Sequence, residues 1–337
     1  MKRLSGRSDI KWGKYLLLLL GLVAGAAFLL LTIGKSADVP GKPYRILFIP
    51  KVVDDENDFW KALIEGAEAG AKEYGVELEI RAADAENNHK MQSELLMQAA
   101  KERPDAVILA PTSYTEVTEA ARAVREAGCV LILVDSMLDE EISDALIATD
   151  NVEAGEKMAS CVADTLPEKP VIGIIAHVQG ASTAIEREAG LRKGLAAYED
   201  CIVGTVFTDS DYDQGYQVTH ELLEEHPDIN VLFGLNEYSA VGAARAVEDM
   251  GLTEQIQMIG FDSSIEEIRL LEAGVFEGIV VQKPFSMGYL GVETAVQRLQ
   301  GHSVESYIDS GSQAVTKETM YSEENQKLLF LFRENRN

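Results

Sequence analysis

The sequence predicts an α/β fold of two doubly wound lobes, each with helices packed on both faces of a parallel β-sheet. Short β-rich runs alternate with amphipathic helical stretches from residue 44 to residue 300, which is the pattern of parallel sheets covered by helices. About ten such runs are more than one sheet of this connectivity comfortably holds. The 337 residues are enough for two lobes, each with its own core.

The predicted strands are short runs of apolar, often β-branched residues bounded by polar ones. They cover residues 44–50, 76–81, 106–110, 130–135, 146–149, 171–176, 202–207, 231–235, 257–261 and 278–281. The predicted helices carry apolar residues at i, i+3 and i+4; in the first, Phe59, Leu63 and Ala67 share a face. They cover residues 58–74, 88–102, 115–127, 153–165, 183–199, 214–225, 237–250, 263–273 and 286–300. The boundary between the lobes is predicted near residues 149–151, where a short strand ends in polar residues.

Before the first strand, residues 16–33 form an uncharged apolar run of 18 residues. As a helix it would span about 27 Å of hydrocarbon. Five basic residues and one acidic residue precede it, so the positive-inside rule predicts a cytoplasmic N-terminus at residues 1–15 and a transmembrane anchor at 16–33. We expect a single-pass protein of the cell membrane with its main domain outside the cytoplasm. Residues 34–43, with Pro40, Gly41 and Pro43, are the predicted linker.

A cleaved signal peptide is the alternative for this segment. Such a peptide has an apolar core of about 7–15 residues that ends at a small-residue cleavage motif. The candidate Ala37 has Lys35 at the −3 position, which fits that motif poorly. A lipid anchor would need a cysteine just after the run, and the first cysteine is Cys129. An uncleaved anchor is therefore the preferred prediction, and cleavage stays open.

The composition argues against several classes of function. With 30 basic and 56 acidic residues the net charge is −26, which is unsuited to nucleic acid binding. The three cysteines form no CxxC motif and no histidine pair has metal-ligand spacing, so we expect no cofactor and no metal. Cys161 and Cys201 fall in the same predicted lobe, where both a disulfide and two reduced thiols remain open.

Polar and aromatic residues follow the predicted strands, and in open α/β sheets this edge is where ligands bind. They include Asn57, Phe59 and Trp60 after the first strand, and Asp135, Tyr212, Asn236, Phe261, Asp262 and Gln282 after later ones. Carboxylates and amides exchange hydrogen bonds with hydroxyl groups, and an aromatic ring stacks on the C–H face of a sugar. The pattern therefore favours a neutral polyhydroxylated ligand.

The order of these motifs resembles the periplasmic binding proteins of the ribose/galactose type, also called the type 1 sugar-binding fold. The motifs run from ILFIP and NDFWKALIEGAEAGAKEYG through DAVILAPT, VLILVDS and GASTAIEREAG to LNEYSAVGAARAV, MIGFDSS and VVQKPFSMG. The resemblance implies two lobes joined by a three-strand hinge and closing on a ligand. It places residues 44–149 plus 284–308 in the N-terminal lobe and residues 150–283 plus 309–337 in the C-terminal lobe.

Carried over residue by residue, the resemblance implies that the same nine residues bind the ligand: Asn57, Phe59, Trp60, Asp135, Tyr212, Asn236, Phe261, Asp262 and Gln282. The chain departs from the ribose type at three positions. Ser136 and Ile185 stand where that type has arginines, with only Arg187 near the second, and Ala110 stands where it has an amide. These departures favour a larger or less polar sugar or polyol over ribose.

The resemblance implies an extracytoplasmic receptor that captures a small neutral sugar or polyol and delivers it to an ABC-type permease. A permanent anchor equally suits a co-receptor for a sensor kinase, and the sequence does not separate these partners. An enzyme is the alternative class and would depend on a carboxylate pair such as Asp135 and Asp262, because nucleophile-elbow and P-loop motifs are absent. A transcription regulator of the same fold is excluded, because an apolar run replaces the DNA-binding helices.

Overall fold

The computed structural model describes residues 42–330. The apolar run at 16–33, and with it the predictions of an anchor and of membrane orientation, lies outside those residues. Within the described part of the chain, no helix is both long enough and apolar enough to span a bilayer. Residues 44–330 belong to one compact unit.

The first lobe is built on a six-stranded parallel sheet with the strand order β11-β5-β4-β3-β1-β2. Its strands are β1 (Arg45–Ile49), β2 (Glu77–Ile80), β3 (Ala106–Leu109), β4 (Val130–Val134), β5 (Ala145–Ala148) and β11 (Tyr307–Asp309). The central strands are buried on both faces, which explains their continuous apolar sequences. The helices of this lobe are α1 (Asp58–Tyr74), α2 (His89–Glu102), α3 (Thr118–Glu126) and α9 (Pro284–Leu299).

The second lobe repeats this architecture with the strand order β12-β10-β9-β8-β6-β7, in which only the edge strand β12 runs antiparallel. Its strands are β6 (Ile172–Ala176), β7 (Ile202–Phe207), β8 (Val231–Gly234), β9 (Gln257–Phe261), β10 (Phe276–Val281) and β12 (Gln313–Thr316). Its helices are α4 (Asn151–Ser160), α5 (Ser182–Gly194), α6 (Tyr212–Glu225), α7 (Glu237–Asp249), α8 (Ile265–Ala273) and α10 (Glu323–Phe330). The predicted two-lobed α/β fold with parallel sheets is confirmed.

Three chain crossings connect the lobes within residues 42–330, after β5, after β10 and after β11. Thr149 of the first crossing contacts one residue from each of the other two. The hydroxyl of Thr149 donates to Oε1 of Gln282 at 2.9 Å and lies 3.3 Å from the hydroxyl of Ser310. All three side chains are buried. The crossings therefore form one hydrogen-bonded hinge.

Close helix contacts shape both lobes. In the first, a Cβ on Gly66 of α1 would lie 2.0 Å from the carbonyl oxygen of Phe285, and one on Gly288 of α9 would lie 1.9 Å from that of Leu63. In the second, a Cβ on Gly190 of α5 would lie 2.0 Å from the carbonyl oxygen of Val152 in α4. Glycine is required at these positions because no side chain fits between the helices.

The structure contains three elements that the sequence patterns did not predict. These are β11, β12 and α10, all in the C-terminal part of the chain. The strand β11 has only three residues, two of them exposed, so it shows no apolar periodicity. The predicted helix 183–199 ends at Gly194 and continues as a short 3-10 helix, Ala196–Cys201. Cys161 and Cys201 are both free thiols.

Candidate functional site

The carboxyl ends of the two sheets face each other and enclose a cavity between the lobes, which we name the central cavity. The first lobe lines it with Lys51, Asn57, Phe59, Trp60, Glu86 and Asp135, and the second with His177, Thr183, Arg187, Asn236, Tyr238, Asp262 and Gln282. Seven of the nine predicted site residues are among them. Its volume of about 20 Å³ is room for about one water molecule, so the lobes are closed.

The start of α1 brings three of the predicted residues to the cavity. Asn57 is the N-cap of this helix, and its Oδ1 accepts the backbone N–H of Trp60 at 3.0 Å. The indole N–H of Trp60 donates to Oε1 of Glu86 at 2.6 Å, which orients the indole ring. Phe59 and Trp60 pack edge to face with ring centroids 5.1 Å apart. The cap thus fixes the helix start that presents both aromatic rings.

Two aspartates occupy equivalent positions at the ends of β4 and β9. Asp135 has φ +65° and Asp262 has φ +92°, a left-handed backbone region that few residues with side chains adopt. Both side chains are buried in the cavity wall. Such local strain persists where the surrounding structure enforces it, and it is concentrated at functional sites.

Asp135 is held by an ion pair and a hydrogen bond, and Asp262 by hydrogen bonds from Gln282 and from the backbone N–H of Glu237. Nζ of Lys51 lies 2.8 Å from Oδ2 of Asp135, and the hydroxyl of Ser136 donates to the same oxygen. Burial acts to raise the pKa of Asp135, but the charges of Lys51 and Arg187 hold it below its usual value. For Asp262 burial prevails and raises the pKa, although Arg187 and a hydrogen bond from Gln282 oppose it.

Arg187 enters the cavity wall from the interior of α5. Its Nε donates to Oδ1 of Asn151 and its Nη1 donates to the carbonyl oxygen of Leu235 at 2.7 Å. The guanidinium carbon lies 3.8 Å from the ring centroid of Phe261, so the cation stacks on the aromatic face. Ile185, where the resemblance expected an arginine, is exposed. Arg187 thus places a guanidinium at the site from two residues farther along the chain.

His177 follows β6 and is buried. Its Nε2 lies 2.8 Å from the hydroxyl of Thr183, and its Nδ1 has no partner among the described residues. Burial, together with the charges of Arg187 and Lys51, holds the pKa of His177 well below its usual value. The imidazole is therefore neutral, with one ring nitrogen left for a ligand.

Two predicted residues lie outside the cavity lining. Tyr212 begins α6, and its hydroxyl donates to Oε1 of Glu237 at 2.6 Å. Phe261 is fully buried in the core of the second lobe and supports Arg187 instead. Tyr238 supplies the aromatic ring of the second lobe in the cavity, and its ring centroid lies 4.7 Å from that of Tyr212.

The lobes are joined across the cleft by carboxylates that accept hydrogen bonds. The carboxylate of Glu237 in the second lobe accepts the backbone N–H groups of Asp58 and Phe59, both at 3.3 Å, at the start of α1. In return, the carboxylate of Asp58 accepts the backbone N–H of Ile265 at the start of α8. Each lobe therefore contributes a carboxyl group to a helix N-terminus of the other, where its oxygen atoms accept backbone N–H groups that have no partner within the helix.

Two further hydrogen bonds cross the cleft through side chains. The hydroxyl of Tyr238 donates to Oδ2 of Asp54 at 2.6 Å, and that of Ser210 donates to Oε2 of Glu86 at 2.9 Å. Tyr238 also packs into the hydrophobic cluster of the first lobe. These contacts form only when the lobes are closed.

Four residues of the cavity wall, Lys51, Glu86, Thr183 and Tyr238, were not predicted from the sequence, and neither His177 nor Arg187 was among the nine predicted site residues. Lys51 and His177 directly follow strands β1 and β6, so the rule of strand ends, applied evenly, selects both. Glu86 lies in the loop after β2, and its role depends on the indole of Trp60. Arg187 carries no such local signal, because it lies inside a helix.

The cavity wall is suited to binding a hydroxyl-rich molecule, which requires the lobes to separate because the closed cavity has room for about one water molecule. It offers carboxylate acceptors, cationic donors and three amide side chains, beside aromatic rings. Among residues 42–330, no group of three or more histidine, cysteine or carboxylate side chains is arranged to hold a metal ion.

Comparisons with known proteins agree on one family. A family model described as a periplasmic binding protein domain matches residues 46–303. The ribose import binding protein of Bacillus subtilis is 29% identical over 254 residues, covering 75% of this chain and 82% of that protein. A crystal structure of a sugar transporter from Clostridium phytofermentans is 42% identical with a TM-score of 0.78, covering 81% of this chain and 99% of that one. A solute-binding protein of an ABC transporter from Agrobacterium vitis, with bound D-fucose, is 29% identical with a TM-score of 0.81, covering 85% and 99%.

Proposed function

This chain belongs to the periplasmic binding protein family, and on that premise we propose that it captures a small neutral sugar in the central cavity and delivers it to an ABC-type permease. The observation that carries the proposal is the cavity itself, closed between two lobes and lined by seven residues that the sugar-binding resemblance selects. The curated relatives include ribose-binding and allose-binding proteins of transport systems. The family consists of binding proteins, which supports a receptor rather than an enzyme.

The charges of the cavity support a neutral ligand. The lining contains three carboxylates, Glu86, Asp135 and Asp262, and two cations, Lys51 and Arg187. An acidic sugar would add a further negative charge to a buried site that already has more carboxylates than cations, and burying an unpaired charge is costly. A neutral sugar can donate hydrogen bonds to carboxylates and accept them from cations without changing that balance. Arg187 supplies one of the donors that the departures from the ribose type remove, so ribose-sized sugars belong in the test.

The first test is ligand binding by the purified chain. Trp60 lines the cavity, and the only other tryptophan is Trp12, so in a Trp12→Phe background the fluorescence reports the cavity alone. The panel contains D-ribose, D-allose, D-arabinose and D-fucose, with amino acids as the competing class. A sugar at about 100 times its Kd adds about 2.7 kcal/mol and raises the Tm of a chain of this length by about 4 °C.

Site variants make the test specific. Asp262→Asn is expected to abolish both the fluorescence change and the Tm shift, whereas Asp164→Asn, on the surface of the same lobe, is expected to leave both intact. Binding of amino acids but of no sugar would contradict the carbohydrate assignment. If a sugar binds and Asp262→Asn does not weaken its binding, the sugar-binding site lies outside the central cavity.

We also propose that residues 16–33 anchor the chain in the cell membrane with the two lobes outside. The proposal rests on the length of the apolar run and on the five basic residues before it. The expected result is that the chain stays in the membrane fraction after alkaline carbonate extraction and that its mass includes residues 1–36. A soluble product that begins near residue 38 would instead establish a cleaved signal peptide.

The apolar run at residues 16–33 also favours a second candidate, a sugar-sensing co-receptor for a sensor kinase, because a permanent anchor would suit such a protein. Transport and sensing differ in the fate of the captured sugar, so they predict different phenotypes. In a strain lacking the gene, loss of uptake of the radiolabelled sugar supports delivery to a permease. Normal uptake combined with loss of sugar-dependent gene expression supports the co-receptor.

A further inference from the structure

Lys51 keeps unused hydrogen-bonding capacity inside the central cavity. An ammonium group has three N–H donors, and among residues 42–330 its single ion-pair partner is Asp135, at 2.8 Å. The side chain is only 4% exposed, so bulk water does not satisfy the remaining donors. Nζ also lies 5.8 Å from the ring centroid of Trp60, beside the aromatic wall of the cavity. A bound molecule in the cavity is the partner that these donors lack.

His177 keeps the complementary capacity on the opposite lobe. Its Nδ1 is buried and unpaired among the described residues, and leaving a buried polar atom unpaired is unfavourable unless a ligand binds it. The Nε2 contact with Thr183 fits either tautomer of the neutral imidazole, because a hydroxyl group both donates and accepts. When Nε2–H donates to that hydroxyl, Nδ1 becomes a hydrogen-bond acceptor. The charge of Lys51 is among the causes that lower the pKa of His177, so the two groups interact.

We propose that Lys51 and His177 together form a subsite for one hydroxyl group of the ligand, which accepts a hydrogen bond from Nζ of Lys51 and donates one to Nδ1 of His177. This inference rests on the proposed function and adds two specificity-determining residues to it. A hydroxyl group suits both partners because it donates and accepts at once. A ligand carboxylate or a carbonyl oxygen can only accept, so it would leave Nδ1 unpaired in the tautomer that carries the proton on Nε2.

The subsite couples recognition to closure of the lobes. Lys51 belongs to the first lobe and His177 to the second, so the hydroxyl meets both only after closure. Lys51 also takes the place of a missing charge, because Ser136 stands after Asp135 where the ribose type has an arginine. Lys51 reaches the same carboxylate from the end of β1. The chain thereby gains an ammonium group where the resemblance predicts a guanidinium.

The experiment removes one hydroxyl at a time from the ligand. The probe is whichever of D-ribose, D-allose, D-arabinose and D-fucose binds the full-length chain most tightly, with its monodeoxy analogues, measured by isothermal titration calorimetry. His177→Leu is compared with His302→Leu, an exposed position. Lys51→Met is compared with Lys90→Met, whose side chain is 88% exposed. Urea unfolding of each variant confirms that it is folded before titration.

In the unaltered protein, one deoxy analogue is expected to bind about tenfold more weakly than the parent sugar, since a buried group loses its partner. In His177→Leu the parent sugar itself is expected to bind roughly fivefold to tenfold more weakly. The deoxy analogue that lacks the same hydroxyl should then bind this variant at most about threefold more weakly than the parent sugar does. Lys51→Met is expected to weaken binding more, because it also leaves Asp135 unpaired. The two control variants should bind the parent sugar as tightly as the unaltered chain does, and the deoxy analogue should bind them about tenfold more weakly than the parent sugar.

The outcomes separate this inference from the proposed function. If none of the four sugars binds the unaltered chain, the proposed function fails and the subsite fails with it. If a sugar binds and both His177→Leu and Lys51→Met show the original affinity and the original deoxy penalties, the receptor function stands and the subsite is overturned. If Lys51→Met does not fold, His177→Leu alone tests the subsite. The proposal is then contradicted if removing the hydroxyl weakens sugar binding by His177→Leu as much as it weakens binding by the unaltered chain.

Discussion

At the scale of single residues, the site is held by charged side chains that are almost completely removed from water. Arg187 is the clearest case, since its guanidinium donates to Asn151 and to a backbone carbonyl oxygen while it stacks on Phe261. A charge in such a position is tolerated only when its donors are satisfied. The contacts of Arg187 therefore serve the stability of the second lobe as well as the binding site.

Arg187→Met is expected to lower the free energy of unfolding by about 3 kcal/mol, because it breaks a buried polar network. Arg192→Met in the same helix removes ion pairs with Glu188 and Glu199 that are open to solvent and should cost less than about 1 kcal/mol. Urea unfolding followed by circular dichroism measures both. Equal losses for the two variants would contradict the buried role of Arg187.

Glu237 makes the stability of the folded chain sensitive to pH. Burial raises its pKa from 4.5 to about 8, Asp262 and Asp58 add repulsion, and the hydroxyl of Tyr212 opposes the shift. The nearby Glu267, also buried, has its pKa raised well above the usual value for the same reason and by repulsion from Asp262 and Glu237. Between the usual pKa of Glu237 and its raised value, the folded chain holds a proton that the unfolded chain has released, so stability falls as pH rises through this window.

We expect the urea midpoint of the unaltered chain to fall between pH 5 and pH 8 more steeply than that of Glu237→Gln, which has no titrating carboxyl group at this position. Subtracting the two profiles removes the contribution of the other acidic residues. The matched control is Glu248→Gln, farther along the same helix, where the side chain is 39% exposed. Parallel profiles for the unaltered chain and Glu237→Gln would contradict the assignment.

At the scale of elements, the interface between α1 and α9 positions the aromatic residues of the site. Gly66 and Gly288 allow the two helix backbones to touch, and the N-cap at Asn57 fixes where α1 begins. Phe59 and Trp60 lie in the first turn after that cap. Their place in the cavity therefore depends on a helix contact two turns away.

Gly288→Ala is expected to destabilise the protein by about 2 kcal/mol, because the added Cβ forces the helix backbones apart. That Cβ would lie 1.9 Å from the carbonyl oxygen of Leu63 and 2.8 Å from the backbone nitrogen of Ala67. Gly204→Ala in strand β7 is the control, since nothing lies within 4 Å of the added atom. Thermal unfolding of both variants tests this, and a neutral Gly288→Ala would show that the helices adjust freely.

At the scale of the whole molecule, the closed arrangement depends on contacts contributed by both lobes. Tyr238 belongs to α7 of the second lobe, yet it packs in the hydrophobic cluster of the first lobe and donates to Asp54. The hinge keeps its own hydrogen bonds through Thr149, Gln282 and Ser310. Removing a contact across the cleft is therefore expected to open the lobes without unfolding them.

Tyr238→Ala should increase the radius of gyration measured by small-angle X-ray scattering in the absence of sugar, and should weaken sugar binding. Tyr216→Ala, in the same lobe, removes a tyrosine whose hydroxyl donates to Asp249 at an exposed position, and should change neither quantity. An unchanged radius of gyration in Tyr238→Ala would mean that the other contacts across the cleft are sufficient for closure.

Much of the fold and most of the site were predictable from local patterns in the chain. The bounds of α1 and β9 agree with the predicted 58–74 and 257–261, because capping and apolar periodicity are properties of neighbouring residues. Asp135, Asn236 and Asp262 were selected because they end or follow parallel strands, and such ends share one edge of a sheet. The strands β11 and β12 escaped prediction because they are short and have few buried residues, so neither shows a clear apolar pattern.

The composition of the cavity wall was decided by tertiary packing. Arg187 reaches the site from inside a helix because Gly155 and Gly190 let α4 and α5 approach closely, with a Cβ on Gly155 only 2.2 Å from the carbonyl oxygen of Arg187. Phe261 packs against Arg187, and Tyr212 donates a hydrogen bond to Glu237. The aromatic ring that lines the cavity from the second lobe is instead that of Tyr238. Local sequence predicts where a polar residue stands along an element. The direction of its side chain depends on which distant residues fill the neighbouring space, since burial and hydrogen bonding are satisfied only in three dimensions.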